Sequence, residues 1–350
     1  MVINSLYGGI YVNKYQDKIK GCMLGGAIGD ALGYPIEFIT YPAIQSIYGQ
    51  EGILGYECDP YARKAVISDD TQMTLFTAEG ILRCQDRTKE KEIRDSIYVS
   101  YLHWLSTQNG LGSTVDSELL KIPELQHLRA PGDTCLFALE SGKMGSIKEP
   151  LNHSKGCGGI MRVAPIAVLK DYDIYELDRL GAEAAAITHG HPLGYMTAAV
   201  LVHIIHRIIY GGCSRGNHLE DIVLEARESI NEIFIENEFL EELNDVIKKA
   251  IEKAKNDKSD MKNIEDIGEG WVAEETLGIA LYCSLRYKDD FSRALRVSVN
   301  HSGDSDSTGA VTGNIMGALW GYSKIPERWK ENLQLTDVIL KIAGELSTIG

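Results

Sequence analysis

The chain has 350 residues, 35 Lys and Arg against 50 Asp and Glu, and a formal net charge of −15. That acidity repels phosphate backbones and disfavours general nucleic-acid binding, while 44% hydrophobic and 24% charged residues exclude wholesale disorder. A chain of this length buries an adequate core without disulfides or structural metals.

Residues 1–13 lack a basic region followed by a long apolar stretch, so they do not read as a signal peptide. Residues 1–16 are expected to form a short extension. Helical periodicity or good helix formers then predict helices over 18–32, 72–84, 91–105, 197–209, 220–236, 240–255, 273–287, 291–299 and 308–319. Strand-like alternation is nearly absent, which predicts an all-α single domain over 1–350. The most apolar stretch, 196–210, is broken by His203, His206 and Arg207, so it is not read as a membrane span. Residues 214–266 are highly charged and poor in glycine, and read as a peripheral helical insertion. Within it, 253–262 reads as an exposed connection. The 7 cysteines include no C-x-x-C pair and are odd in number, as expected of free thiols in a reducing cytoplasm.

Glycine is unusually frequent, with 35 against 9 prolines. Two predicted helices carry it every fourth residue: Gly21, Gly25, Gly29 and Gly33 in the first, Gly309, Gly313, Gly317 and Gly321 in the last. On a helix each set makes one bare ridge. Each helical glycine costs about 1 kcal/mol against alanine. Close contact between helices offsets that cost, either for packing alone or to bring both helices to a central site.

Two acidic clusters each open a predicted helix. One is Ser68, Asp69, Asp70 and Thr71; the other runs from His301 through Gly303, Asp304, Asp306, Ser307 and Thr308 to Gly309. Either could be a capped, solvent-exposed acidic turn. Their carboxylates and hydroxyls are also hard oxygen donors, suited to Mg²⁺, Mn²⁺ or Ca²⁺ rather than Zn²⁺. Asp69, Asp70, Asp304 and Asp306 together carry about four negative charges, which two divalent cations would balance. The sharper expectation is therefore a binuclear Mg²⁺ site.

Three further segments carry chemistry. Tyr34 and Pro35 end the first helix and leave Glu37 in a loop between Ile36 and Phe38, where apolar neighbours can raise a carboxyl pKa for acid or base work. The run Gly156, Cys157, Gly158, Gly159 reads as a glycine-rich loop entering a helix and offering amides to a phosphate. His189 and His191 flank Gly190; a hydrogen-bonding or stacking histidine fits there better than a metal ligand.

Taken in order, these segments resemble the ADP-ribosylglycohydrolase family. The matching blocks are GCMLGGAIGDALGYPIEF from Gly21, SDDTQMT from Ser68, RAPGDT from Arg129, GCGGIMRVAPIA from Gly156, THGHPLGY from Thr188, GEGWVAEETL from Gly268 and NHSGDSDSTGAVTGNIMGALWG from Asn300. They cover roughly residues 17–322. The resemblance implies a compact orthogonal multi-helix bundle around a binuclear Mg²⁺ centre, with Mn²⁺ as the alternative ion. It implies Ser68, Asp69, Asp70, Asp304, Asp306 and Ser307 as metal ligands and Glu37, Asp69, Asp70 and Asp304 as catalytic groups. Ser154, Gly156, Gly158, Gly159 and His189 would hold ADP-ribose. Lys155 replaces an aromatic found in some members, and Cys157 a polar amide. The implied activity is Mg²⁺-dependent release of ADP-ribose from a modified protein, with the last block closest to the arginine-specific branch. The competing readings are a metal-dependent phosphohydrolase of a nucleotide-type substrate, and an immunity protein that masks an ADP-ribosylating toxin.

Overall fold

The computed structural model describes residues 14–110, 116–211 and 219–349. The extension up to residue 13, Cys213, the start of the 214–266 segment and part of the 108–128 loop lie outside the described residues. Helix makes up 66% of the structure and no strand forms among the described residues. Fifteen α-helices are described. In chain order α1 is Lys14–Gly33, α2 Tyr41–Tyr48, α3 Asp69–Arg83, α4 Glu90–Gln108 and α5 Asp133–Glu140. Next come α6 at Ile174–Ala186, α7 at Pro192–Tyr210, α8 at Leu219–Ile233, α9 at Leu240–Lys255 and α10 at Asp260–Ile267. The last five are α11 at Ala273–Arg286, α12 at Phe291–Val299, α13 at Ser305–Trp320, α14 at Glu327–Lys330 and α15 at Thr336–Leu346.

The two glycine ridges meet. α1 and α13 form the most extensive helix–helix contact of the fold. A Cβ placed on Gly21, Gly25 or Gly29 would run into the carbonyl oxygen of Gly317, Gly313 or Gly309 respectively. Gly33 faces the backbone of Ser305, at the start of α13. Only the last ridge position departs: α13 stops at Trp320, and Gly321 caps it with φ +77. Such backbone proximity gains dispersion contacts over both helix lengths and offsets the low helix propensity of glycine. It also fixes where the C-terminal end of α1 sits relative to the N-terminal end of α13.

α7 is the one described helix long and apolar enough to cross a membrane, and 89% of that stretch is buried inside the protein. It is a core helix. Its two histidines each make one internal bond: His203 bonds Asp178 at 2.8 Å, Asp178 also accepts from Ser229 at 2.6 Å, and His206 bonds the Ala167 carbonyl at 3.0 Å.

Helices α8, α9 and α10 lay amphipathic faces on α7 and α11, burying Val223, Ile230, Leu243, Ile247 and Ile264. The expected exposed connection at 253–262 is corrected. α9 runs through Lys255 and α10 begins at Asp260. Lys253 is buried against Asp266, which accepts its ammonium at 2.6 Å. The six described cysteines are free thiols.

Candidate active site

Two helix N-termini and one turn converge. At the first, Ser68 is the N-cap of α3 and its Oγ accepts from the Asp70 amide at 3.2 Å. The Asp69 amide donates to the Arg129 carbonyl at 2.9 Å, which ties this turn to the 129–132 loop. At the second, Asp304 caps α13, and the Ser307 amide donates to Asp304 Oδ1 at 3.1 Å and to Asp306 Oδ1 at 2.9 Å. Gly303 takes φ +133 with the Glu269 carbonyl against it, a place where no side chain fits. Glu37 follows the 3₁₀ turn Tyr34–Ile36 and comes from the third direction.

The solvent-exposed alternative for the acidic clusters is therefore overturned. Asp69, Asp70, Asp304 and Asp306 are buried, as are Glu37 and the neighbouring Asp30. Ligand atoms of Glu37, Asp304 and Asp306 all lie within 4.8 Å of one another. Among the described residues no Lys or Arg forms an ion pair with any of these six carboxyl groups. Burial, and then repulsion from Asp306, pushes Glu37 up to about 10 and Asp69, Asp70 and Asp304 well above the usual carboxylate range. Burial, and then Asp306, also lifts Asp30 to about 7. Glu37 Oε2 and Asp70 Oδ2 are buried with no hydrogen-bond partner. Uncompensated buried carboxylates are costly. This donor set, all carboxylate and hydroxyl oxygen, fits a hard divalent cation and leaves orphaned acceptors for it.

The carboxylates floor a cavity of about 580 Å³, a size typical of small-molecule sites. Asp69, Asp70, Asp304, Asp306 and Ser307 line it, with Glu37. Ser68 does not; it is fully buried beneath the first turn of α3.

The glycine-rich loop forms one wall, with a correction. It enters no α-helix; a 3₁₀ turn at Cys157–Gly159 is followed by a second at Ala164–Val168. Two of its amides are already engaged, Gly156 N with Ser154 Oγ at 3.3 Å and Cys157 N with the Trp271 carbonyl at 3.2 Å. Gly156, Cys157 and Gly158 line the cavity; Gly159 instead packs behind it against Gly194 and Ala185. Ser154 also stands behind the wall, bonded to Thr134 at 3.0 Å.

His189 lines the cavity, and burial followed by the charge of Arg162 lowers its pKa to about 3, so the ring is neutral. Its Nδ1 is held by a hydrogen-bonded chain from Arg162. The buried Arg162, which can only donate, bonds Thr188 Oγ1 at 2.6 Å, and Thr188 Oγ1 lies 2.8 Å from His189 Nδ1. The chain fixes the ring orientation and, among the described residues, leaves Nε2 without a protein partner on the cavity side. His191 has no part in this; its Nδ1 caps α7 by accepting from Leu193 N at 3.1 Å, and its ring packs on Phe239.

The two departures noted in the loop have clear fates. Lys155 is held by Glu274 and by Glu242 at 3.5 Å, and it does not line the cavity. Cys157 Sγ donates to Asp304 Oδ2 at 2.7 Å. Sequence reasoning missed Arg162, Asp30 and the rim, where Phe38 and Trp271 stack at 5.5 Å. All four lie in motif blocks already singled out, but nothing local marks their roles.

The sequence profile of the ADP-ribosylglycohydrolase family matches residues 12–349. The chain is 25% identical to the ADP-ribosylhydrolase ARH3 of Mus musculus, with 92% of this chain and 90% of that protein covered. It is 25% identical to the ADP-ribosylarginine hydrolase Tri1 of Serratia proteamaculans, covering 94% and 79%. A solved structure titled ADP-ribosylglycohydrolase-related protein complex shares the fold, with a TM-score of 0.69 at 24% identity over 97% of this chain and 99% of that one. With a profile match over nearly its whole length, the chain belongs to the ADP-ribosylglycohydrolase family, an enzyme family that hydrolyses glycosidic bonds to ADP-ribose.

Proposed function

We propose that the chain cleaves the bond between C1″ of ADP-ribose and an arginine nitrogen of a modified protein, reversing mono-ADP-ribosylation with two Mg²⁺ ions as cofactors. The observation that carries this reading is the cavity itself. Buried carboxylates without a counter-charge form its floor, and the Gly156–Gly158 wall and His189 face them. Asp69, Asp70, Asp304 and Asp306, with the hydroxyls of Ser68 and Ser307, would hold the ions, and Mn²⁺ suits the same oxygens. Bound there, the ions supply charge neutralisation and a hold on the ribose hydroxyls that orients the reacting carbon.

The remaining work belongs to the chain. Cleavage passes through an oxocarbenium-like transition state. Bound cations would offset the repulsion from Asp306, Asp304 and Asp69 that adds to burial in raising Glu37, and Glu37 would then act as the carboxylate base. It takes a proton from water as the water oxygen bonds to C1″ and the C1″–nitrogen bond breaks. The electron pair of that bond leaves with the guanidine, which is already cationic and needs less protonation than a serine alkoxide. His189 and the Gly158 backbone hold the diphosphate side of the ligand. The acidic floor attracts a cationic leaving group, and the arginine-hydrolase name of the Serratia relative supports the same preference. The six free thiols among the described cysteines suit a cytoplasmic setting.

Product analysis tests the reaction class. Incubation with an ADP-ribosylated arginine substrate releases intact ADP-ribose, and free ADP-ribose is left uncut. Release of AMP would identify a phosphohydrolase instead.

A further inference from the structure

Asp30 is fully buried on α1, does not line the cavity, and has no assigned task in the reaction. Its carboxylate is spent on a single feature, the first turn of α3. Oδ1 and Oδ2 accept from the Ser68 amide at 2.9 and 3.1 Å. Oδ2 also accepts from the Thr71 amide at 3.1 Å and from Thr71 Oγ1. Ser68 already caps this helix through its own hydroxyl, so local capping does not require a second carboxylate brought from a distant helix. What Asp30 adds is a link. α1 is locked to α13 along the glycine ridge, and α13 presents Asp304 and Asp306. Asp30 therefore joins the turn that presents Asp69 and Asp70 to the rigid pair that presents the other acids.

We infer that Asp30 is a positioning residue for the metal centre: by holding the Ser68 and Thr71 amides it sets the α3 carboxylates in register with those of α13. The inference rests on the cation-site reading above. Outer-shell groups that orient ligands typically contribute about 10- to 100-fold in metal affinity, and Asp30 holds the two amides, of Ser68 and Thr71, that flank Asp69 and Asp70.

The test is Mn²⁺ binding, followed by the loss of the free-ion paramagnetic signal, with helical circular dichroism recorded in parallel. Asp30→Asn keeps the volume but sets an NH₂ donor against donors. It is expected to weaken Mn²⁺ binding about 10- to 100-fold while the helical signal is retained. Thr71→Val, which keeps the amide bond and removes the hydroxyl, shows a smaller loss of the same sign. Asp178→Asn breaks an equally buried carboxylate network that does not line the cavity; it lowers Tm and leaves Mn²⁺ affinity unchanged. Wild-type affinity in folded Asp30→Asn overturns the inference. Should that variant not fold, wild-type affinity in Thr71→Val overturns it. A wild-type protein that binds no Mn²⁺ removes the metal reading and this inference together, an outcome distinct from equal binding by wild type and variant.

Discussion

Gly25 of α1 and Gly313 of α13 touch backbone to backbone, and a methyl group on either would collide with the other's carbonyl oxygen. The contact has an energetic consequence. Gly25→Ala gains about 1 kcal/mol in helix propensity but meets a backbone atom that cannot rotate away. Overpacking costs about 1–3 kcal/mol or more, so the collision wins.

We expect Gly25→Ala to destabilise the protein by about 2 kcal/mol in urea denaturation. Gly55→Ala, where nothing lies within 4 Å, should change stability little. Equal stability of both variants would mean that the ridge contact is looser than described.

Asp306 is the neighbour whose charge most raises Glu37, Asp69, Asp70 and Asp304. Asp306→Ala should therefore remove at least one bound ion by elemental analysis and lower turnover by about 100-fold or more, with helical content kept. Full activity in this variant would displace Asp306 from the cation site.

Burial holds His189 down at about 3 in the folded protein, against about 6.5 when unfolded. The native state then binds fewer protons than the unfolded state between these values. Stability from this group is complete above about pH 6.5 and falls as the pH drops toward 3. Between pH 7 and pH 5 wild type should lose about 1–2 kcal/mol that His189→Gln does not lose. Parallel pH–Tm curves for the two proteins would contradict a neutral, buried imidazole.

Much of the helical frame was legible because large apolar residues recur at helical spacing. The ends of α9 and α12 fall where the pattern puts them, at Leu240 and Lys255 and at Phe291 and Val299. α6 was missed because its second half is an alanine-rich run, Gly181–Ala186, without the large side chains that make a period visible. α2 and α5 were missed because eight residues give barely two turns of pattern. The acidic residues of the site were legible as donor types at two helix starts. Their burial was not, because it comes from α1 packing on α13. Nor was the role of Asp30, whose partners Ser68 and Thr71 lie 38 and 41 residues away. The glycine-rich loop shows the converse error. Its composition suggests free amides entering a helix, whereas a local bond to Ser154 and a tertiary bond to Trp271 engage two of them.

ADP-ribose should raise Tm by mass action, which at 100 Kd adds about 2.7 kcal/mol. The rise should be larger with Mg²⁺ present than with EDTA, because ribose and diphosphate would be held at opposite walls of one cavity. A melting curve unmoved by saturating ADP-ribose would count against the Gly158 and His189 wall as the ligand site.

Side-by-side turnover of mono-ADP-ribosylated arginine and serine peptides, at equal concentration and with Mg²⁺ or EDTA, tests the whole reading most directly. ADP-ribose should be released from the arginine peptide with the higher kcat/KM, and that release should be lost in EDTA. Faster release from serine, or release from arginine undiminished by EDTA, would contradict that reading.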